Sequence, residues 1–508
     1  MKRRLSVVFM MLFIFIFLLS PIASAEMKPQ YGGTITLIYS SGPQVLGNDG
    51  SGPGDFVGGF PATECMMDMD ENRKMVPSLA ESVDIDAKNK KTTFKLRKGI
   101  KFHDGTDFTA EVAAWNYQHR IDNGRQQFGD MIERIEVEDD YTLVLHFKGY
   151  HNQLDFSFGW VPMFSKQAYI THDKQWNNTH IVGTGPFELV EWKRDVHMIW
   201  KKFDGYWQKG LPYLDGIKVV FIPDPVTASS MLQAGEADIW VTGLQAKDQK
   251  ELEAKGFVRK AYWTGLNYIL TPNTRDPDGP LYNKKVREAV EYALDKPAIT
   301  KAIGFGYYKP LKMMHPEGNW AYDPDWPGRP YNPEKARKLL AEAGYPKGLK
   351  LELLVFPAWG GATIAEAIKA YLGDVGIDVH IDIADPGRFF GSLWGKGWKD
   401  FVISINGVDH NSLATIHSWY GHSPRTQMVD YKQSDKIIEL SEKSITLLNE
   451  ADQKEISRQI ALELGEEALI IPLYYNPLAY MTQKYVHTNY LETGLIRWKM
   501  ASMWMEKH

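Results

Sequence analysis

Apolar and polar residues keep two different periods along this chain, and the dominant period changes between its halves. Tyr31-Gly32-Gly33-Thr34-Ile35-Thr36-Leu37-Ile38-Tyr39 opens on two glycines and continues as a run of β-branched and apolar residues, which predicts a strand. Lys91-Thr92-Thr93-Phe94-Lys95-Leu96-Arg97 and Tyr141-Thr142-Leu143-Val144-Leu145-His146-Phe147 alternate in the manner of half-exposed strands. Between them, Thr109 stands where an N-cap belongs. Glu111 suits the first turn of the helix that carries Val112, Trp115, Asn116 and His119. Residues 41–61 are rich in Gly and Pro and predict a long loop.

Helical spacing is commoner in the second half. Lys284 to Leu294 sets Val286, Ala289, Val290, Ala293 and Leu294 on one face. Asn332-Pro333-Glu334 starts a helix with a cap, a first-turn proline and an acid at the positive end of the dipole; Gly344 and Pro346 stop it. Strands are expected at Leu351–Phe356, Val379–Ile383 and Phe401–Ile405, with a helix at Ala362–Leu372. Asp435 to Ala468 reads as one long amphipathic helical stretch. Strands alternating with helices imply mixed α/β layers with ligands near the strand ends.

The first 25 residues have a different purpose. Lys2, Arg3 and Arg4 precede 13 uninterrupted apolar positions, Val7 to Leu19, and Ala23-Ser24-Ala25 forms a small-x-small site before Glu26. This is the pattern of a cleaved secretory signal peptide, and the apolar run is short of the roughly 20 residues of a membrane span. No cysteine follows it, so a lipid anchor is not expected, and the mature chain is expected in the periplasm.

Composition narrows the function. At 508 residues and 44% apolar, the chain is long enough for more than one domain. Its 58 Lys and Arg against 63 Asp and Glu give a net charge of −5, three units more negative without the leader. That balance gives no reason to expect nucleic acid as a partner. The single cysteine, Cys65, cannot form an internal disulfide or a cysteine-built metal site.

Catalytic signatures fail on inspection. Gly421-His422-Ser423-Pro424-Arg425 lacks the final glycine of a nucleophile elbow, and Pro424 removes the N–H that would complete an oxyanion hole. Gly183-Thr184-Gly185-Pro186-Phe187-Glu188 lacks the third glycine of a dinucleotide loop. There is no phosphate-cradling loop and no H-E-x-x-H. His410, His417 and His422 lie beside Asp409, but their gaps match no helical or strand face. No cofactor and no dedicated metal site are expected, and an exported hydrolase is the remote alternative.

Several strings, taken together and in order, are similar to the family 5 extracellular solute-binding proteins of ABC importers, the dipeptide-, oligopeptide- and nickel-binding type. They are Pro77-Ser78-Leu79-Ala80-Glu81-Ser82 with Phe94 to Thr106 and Phe108-Thr109-Ala110-Glu111; Gly183 to Phe187 with Gly205-Tyr206-Trp207 and Leu211-Pro212-Tyr213-Leu214-Asp215; Leu232 to Ile239; Val286-Arg287-Glu288-Ala289-Val290 with Ala293-Leu294-Asp295; and Tyr331 to Leu340 through Gly344-Tyr345-Pro346. Most of these are turns, bends and helix starts, so they identify the scaffold without identifying the ligand. For His103, turn hydrogen bonding is the expected role.

The resemblance implies an α/β, two-lobed periplasmic-binding-protein clamshell with an extra subdomain inserted in lobe I. Lobe I would comprise 31–62, 182–270 and 475–508, the inserted subdomain 63–181, and lobe II 271–474. The crossings would fall near Leu270-Thr271-Pro272-Asn273 and Pro472-Leu473-Tyr474-Tyr475. It further implies a monomer that closes on a small-molecule or peptide ligand and then docks on a membrane permease.

The resemblance also assigns site residues. Asp409, after the strand Phe401–Ile405, matches the Asp that pairs with a peptide's α-ammonium in peptide-binding members. Two departures stand beside it. Ser412 and Leu413 replace a second acid and a proline, and Pro357-Ala358-Trp359-Gly360-Gly361 lacks the Arg that takes a dipeptide's carboxylate; Arg388 and Arg425 are the candidate substitutes. Trp359, Trp394, Trp398 and Trp419 fall in or beside lobe II loops, where indole faces hold rings and cations. With His410 they complete the expected ligand-binding set. An amine-bearing solute such as a peptide is the leading ligand class; an oligosaccharide, a nickel chelate and an opine-like compound stay open, as does a sensory or chaperone-like use of the same clamshell.

Overall fold

A computed structural model describes residues 28–46, 59–70, 74–356, 361–408, 413, 416, 430–488 and 499–506; the expected leader lies outside them. β1 (Thr34–Tyr39) is followed by a hairpin of β2 (Met67–Met69) and β3 (Met75–Pro77). Four strands then form an antiparallel sheet of their own: β4 (Ala80–Asp86), β5 (Lys91–Leu96), β6 (Ile132–Asp139) and β7 (Thr142–Phe147), in the order β4-β5-β7-β6. The chain continues through β8 (Phe187–Lys193), β9 (His197–Lys202), β10 (Gly216–Phe221) and β11 (Ile239–Trp240) to the long strand β12 (Val258–Pro272). Next come β13 (Lys309–Pro310), β14 (Leu349–Val355), β15 (Ile377–Ile383) and β16 (Phe401–Val408), and finally a second long strand, β17 (Ile471–Thr482). These link in the order β15-β14-β16-β12-β17-β11-β1-β10-β9-β8, with β13 added beside β17.

This path is two sheets joined by two shared strands. β12 pairs with β17 from Val258↔Thr482 to Ala261↔Ala479, loses register, and resumes at Gly265↔Pro477. Packing divides at the same place. β17 gives Ile471, Leu473 and Tyr474 to a core with Leu270, Leu353 and Ile377, and gives Tyr480 to a different core with Ile35, Trp200 and Ile217. The first core is that of lobe II and the second that of lobe I. The break therefore lies upstream of Leu270–Asn273 and downstream of Pro472–Tyr475. The expected crossing positions Pro272 and Pro472 belong to the lobe II ends of β12 and β17. At the break, Gly265 is required by close approach, because a Cβ there would lie 2.2 Å from the Asn476 carbonyl oxygen.

The inserted subdomain is built on β4–β7 and the helix Ala110–Asp122, with Phe94, Tyr117, Leu143 and Phe158 in its core. Thr109 caps that helix by accepting from the Val112 N–H. A seam joins the subdomain to lobe I. His103 N–H donates to Gly183 O, Gly185 N–H to Ala62 O, and His103 Nε2 lies 2.9 Å from Gly185 O. Neither Gly183 nor Gly185 has room for a Cβ, since each would collide with the Ala62 backbone. The Gly183 to Phe187 string is thus a packing device, and His103 bonds across to it rather than within its own turn, which was its expected role.

In lobe II, one face of the sheet is covered by the helices Lys284–Tyr292 and Gly361–Gly373 through Val286, Val290, Ile364 and Ile368. Two readings change in lobe II. The stretch 435–468 is two helices, Asp435–Ser444 and Glu450–Glu466, because Asn449 caps the second by accepting from Ala451 N and Asp452 N. The helix Lys284–Tyr292 also buries charge as well as apolar residues. Arg287 donates to the carbonyls of Leu281, Tyr282, Glu467 and Ala468. Glu291 bridges Lys296 at 2.7 Å and Arg329 at 3.0 Å. The Val286 to Val290 string thus ties two segments of lobe II together.

Candidate functional site

Register places the candidate site. In lobe II, β14 runs parallel to β15 and β16, and β16 runs antiparallel to β12 with its last residue, Val408, opposite Gly265. The carboxyl ends of all three strands therefore point toward the break. In lobe I, β1 runs parallel to β10 and β11, and β11 is antiparallel to β17, with Trp240 opposite Met481. These carboxyl ends point toward the break from the other side. The carboxyl-end edges of two parallel strand sets, the edges where α/β sheets generally hold ligands, thus face one another across a pair of connecting strands.

On the lobe I edge, hydrogen bonds fix the loops that leave β1 and β11. Ser40 N–H donates to Thr242 Oγ1 at 2.9 Å, the two hydroxyls lie 3.1 Å apart, and Trp240 Nε1 donates to Thr242 O at 2.7 Å. Sequence reasoning missed these groups. Their only signal is the pairing of distant strands.

On the lobe II edge, the expected residues separate. Trp394 is 53% exposed and stacks on Phe390 with ring centroids 5.0 Å apart; Phe390 in turn contacts Phe389 and Phe356. An aromatic ledge therefore runs from the end of β14 to the segment after β15. Trp398 is only 6% exposed and packs into the lobe II core with Leu393, Val402 and Tyr431, so it has no free face to offer a ligand. Its backbone is fixed as well: its N–H donates to Asp430 at 2.6 Å and its carbonyl accepts from Asn273 at 2.8 Å. Burial pushes the Asp430 carboxyl up from its ordinary value. Trp359, Asp409, His410 and Trp419, with His417, His422 and Arg425, lie outside the described residues.

Arg388 does not substitute for the missing carboxylate-binding Arg. It forms a two-pronged pair with Asp382, at 2.7 and 2.6 Å, and donates to Ile383 O. The Asp382 hydrogen bond holds Arg388 above the ordinary guanidinium value, and the pair is spoken for.

Trp394→Ala is expected to weaken ligand binding roughly tenfold while leaving the thermal midpoint unchanged, the ~1.4 kcal/mol of one lost aromatic contact. Isothermal titration with the stabilising ligand checks this, and an unchanged Kd removes Trp394 from the site.

Two cavities stand apart from these edges. One of about 660 Å³ lies in lobe II among His315, Pro316, Tyr322, Tyr331 and Tyr475. The other, of about 530 Å³, lies at the seam beside Glu64, whose oxygens accept from Thr184, Tyr206 and Trp207. Those three donors leave Glu64 a holder of the seam. Among the described residues, no helix is long and apolar enough to cross a membrane.

The helix-flanked sheets are those of the periplasmic binding proteins. The structure of the ABC transporter-associated periplasmic binding protein DppA from Helicobacter pylori, in complex with the peptide STSA, superimposes with a TM-score of 0.83 at 22% identity, covering 94% of this chain and 99% of that one. AgaA from A. tumefaciens R10, in complex with agropinic acid, gives a TM-score of 0.79 at 26% identity, with 94% and 99% covered. The fold is the two-lobed clamshell with a subdomain inserted in lobe I. Residues 74–427, more than half of the chain, match the bacterial extracellular solute-binding proteins, family 5, Middle, and the chain belongs to that family. The glutathione-binding protein GsiB of Shigella flexneri is 33% identical over 358 residues, covering 66% of this chain and 66% of its own length. The match thus spans just under two thirds of that relative.

Proposed function

We propose that this chain is the receptor of an ABC importer outside the cytoplasm. It captures a peptide or a similar amine-bearing solute between its lobes and delivers it to a membrane permease. The observation that carries this reading is the facing of the two strand edges across a crossing of only two strands. A ligand that contacts both edges binds the closed arrangement better than the open one and shifts the population toward it.

In this reading Asp409, the residue after Val408 at the end of β16, takes the ligand's ammonium. Trp359, Trp394 and Trp419 supply ring faces, and His410 is the next residue in the chain. Glutathione, named for the GsiB relative, is a tripeptide derivative with a free α-amino group, which supports the ligand class. Residues 1–25 are removed on export to the periplasm. The protein works as a monomer, turns nothing over, and takes neither nucleic acid nor a cofactor. Its two lobes meet at a hinge at Ala261–Gly265 and Pro477–Ala479, a few residues from the expected boundaries at 270 and 475. A second reading, a non-peptide solute such as agropinic acid, is supported by the commitment of Arg388 to Asp382, which leaves no described Arg for a peptide carboxylate at the β14–β15 edge.

A thermal-shift screen of the refolded mature protein tests this. The probes are reduced glutathione, di- to pentapeptides, agropinic acid, oligosaccharides and nickel–histidine. A ligand at 100 times its Kd stabilises by about 2.7 kcal/mol, a readable shift. A shift with glutathione or peptides is the expected result. A shift with agropinic acid alone selects the second reading, and shifts confined to sugars or chelates overturn both.

A further inference from the structure

We propose that Asn152 is a latch, a positioning residue that holds the inserted subdomain against lobe II and so sets ligand affinity without touching the ligand. The proposal rests on the reading that ligand binding closes the lobes.

Asn152 follows β7 and immediately precedes Gln153 and the short helix Leu154–Gly159, whose Leu154 and Phe158 are in the subdomain core. It reaches the turn between the helices Asp435–Ser444 and Glu450–Glu466, whose Ile437, Leu440, Ile456 and Ile460 are in a lobe II core. Three of its N–H bonds end on that turn. Its backbone N–H donates to Ile445 O at 3.0 Å, and its side-chain amide donates to Ser444 O at 2.7 Å and Leu447 O at 2.8 Å. The last carbonyls of a helix have no partner within it. Here one residue of the other lobe supplies donors at that terminus.

The amide is held in the orientation this requires. Gln153 Nε2 donates to Asn152 Oδ1 at 3.0 Å, so the Asn152 oxygen faces its own subdomain and the NH2 group faces lobe II. Gln153 is itself buried.

A second contact joins the lobes near the hinge. Tyr307, after the lobe II helix Lys296–Gly304, donates to Glu253 in lobe I, and the Arg259 guanidinium lies 4.2 Å over its ring. That contact is close to the crossing strands. The Asn152 contact is made by the inserted subdomain, whose own sheet shares no strand with the crossing. Opening the lobes must break it.

Because these bonds form between protein groups, they favour closure with or without ligand. When only the closed form binds, apparent affinity is the intrinsic affinity scaled by the closed fraction. Removing the latch therefore weakens every ligand by one common factor.

Single-molecule energy transfer between dyes at Glu138→Cys in the subdomain and Glu439→Cys in lobe II reads the closed fraction directly. Both positions are exposed, whereas Cys65 is buried and stays unlabelled. The chain is measured without ligand, so the result does not depend on which solute it carries. The expected result is a closed-to-open ratio that falls roughly tenfold in Asn152→Ala, the effect of losing two hydrogen bonds of modest net value. It falls further in Asn152→Asp, an isosteric change that turns an oxygen toward two carbonyls. Thermal midpoints within a degree or two of the parent show that both variants fold. A ratio unchanged in both variants overturns the latch, as does a parent chain with no closed population. If the ratio responds but no solute ever closes the lobes, the latch stands and the receptor reading fails.

Discussion

Asp409→Ala is expected to abolish tight binding of an amine-bearing ligand while melting like the parent. The chain leaves β16 at Val408, which pairs with Gly265 beside the break between the lobes. In the proposed reading the carboxylate of the next residue meets the ligand's ammonium in a cleft that excludes water on closing, and the two make a charge-assisted hydrogen bond. Truncating one partner of such a pair costs 2–5 kcal/mol, most of it from the charge left without a partner, or roughly 30-fold to several thousandfold in Kd. Asp409→Asn separates charge from shape, because it keeps the size and loses the charge, and is expected to fall nearly as far. Acetylating the ligand's amine should reproduce the loss in the parent and add little in Asp409→Ala. Isothermal titration measures all three. Full affinity in Asp409→Ala removes this residue from the site.

Glu291→Ala is expected to give the largest loss of stability. Glu291 is 2% exposed and neutralises two cations that are nearly as buried, Lys296 at 5% and Arg329 at 8%. Burial pulls the Arg329 guanidinium down, but Glu291 and Glu288 outweigh it and hold it above its ordinary value. Arg329 also donates to Gly465 O and Glu466 O, so the cluster ties the helix Lys284–Tyr292 to the end of the helix Glu450–Glu466. Removing the shared acid leaves two buried positive charges with less compensation, and breaking a buried pair in this way costs about 3–5 kcal/mol. The urea midpoint of lobe II should fall accordingly. Pairing Glu291→Leu with Lys296→Met should recover part of the loss, since it removes one of the two cations left short of compensation while Arg329 keeps Glu288. A midpoint within experimental scatter of the parent for Glu291→Ala contradicts the account.

What the sequence disclosed was local. The strands β5, β7, β14, β15 and β16 were legible because their apolar residues alternate or run together over six to eight positions. Caps were legible because the cap and the N–H that donates to it lie within three residues; Asn332 accepts from Lys335 N at 2.9 Å, as its position implied. The joining strands β12 and β17 were not. Their polar residues and prolines break every period, and they are strands because each finds the other some two hundred residues away. The resemblance supplied only two crossings nearby, and the packing of Tyr474 and Tyr480 into different cores supplied the place of the break.

The site divides in the same way. Trp394 and Trp398 are four residues apart and look alike in sequence, each beside a glycine. Long-range partners decide between them. Asp430 and Asn273 clamp the backbone of Trp398 and seat its ring in the core, whereas Trp394 stacks on a phenylalanine and keeps a free face. Arg388 likewise looked available until Asp382, at the end of β15, took both prongs of its guanidinium. The break at Asn449 that splits one expected helix into two also creates the turn on which Asn152 seats.

Small-angle X-ray scattering of the refolded mature chain, with and without the solute that stabilises it, tests the central claim most directly. Saturating ligand is expected to contract the radius of gyration as the two strand edges close on it, and Asp409→Ala to show no contraction at the same ligand concentration. A radius of gyration unchanged at saturation in the parent chain would contradict capture by lobe closure.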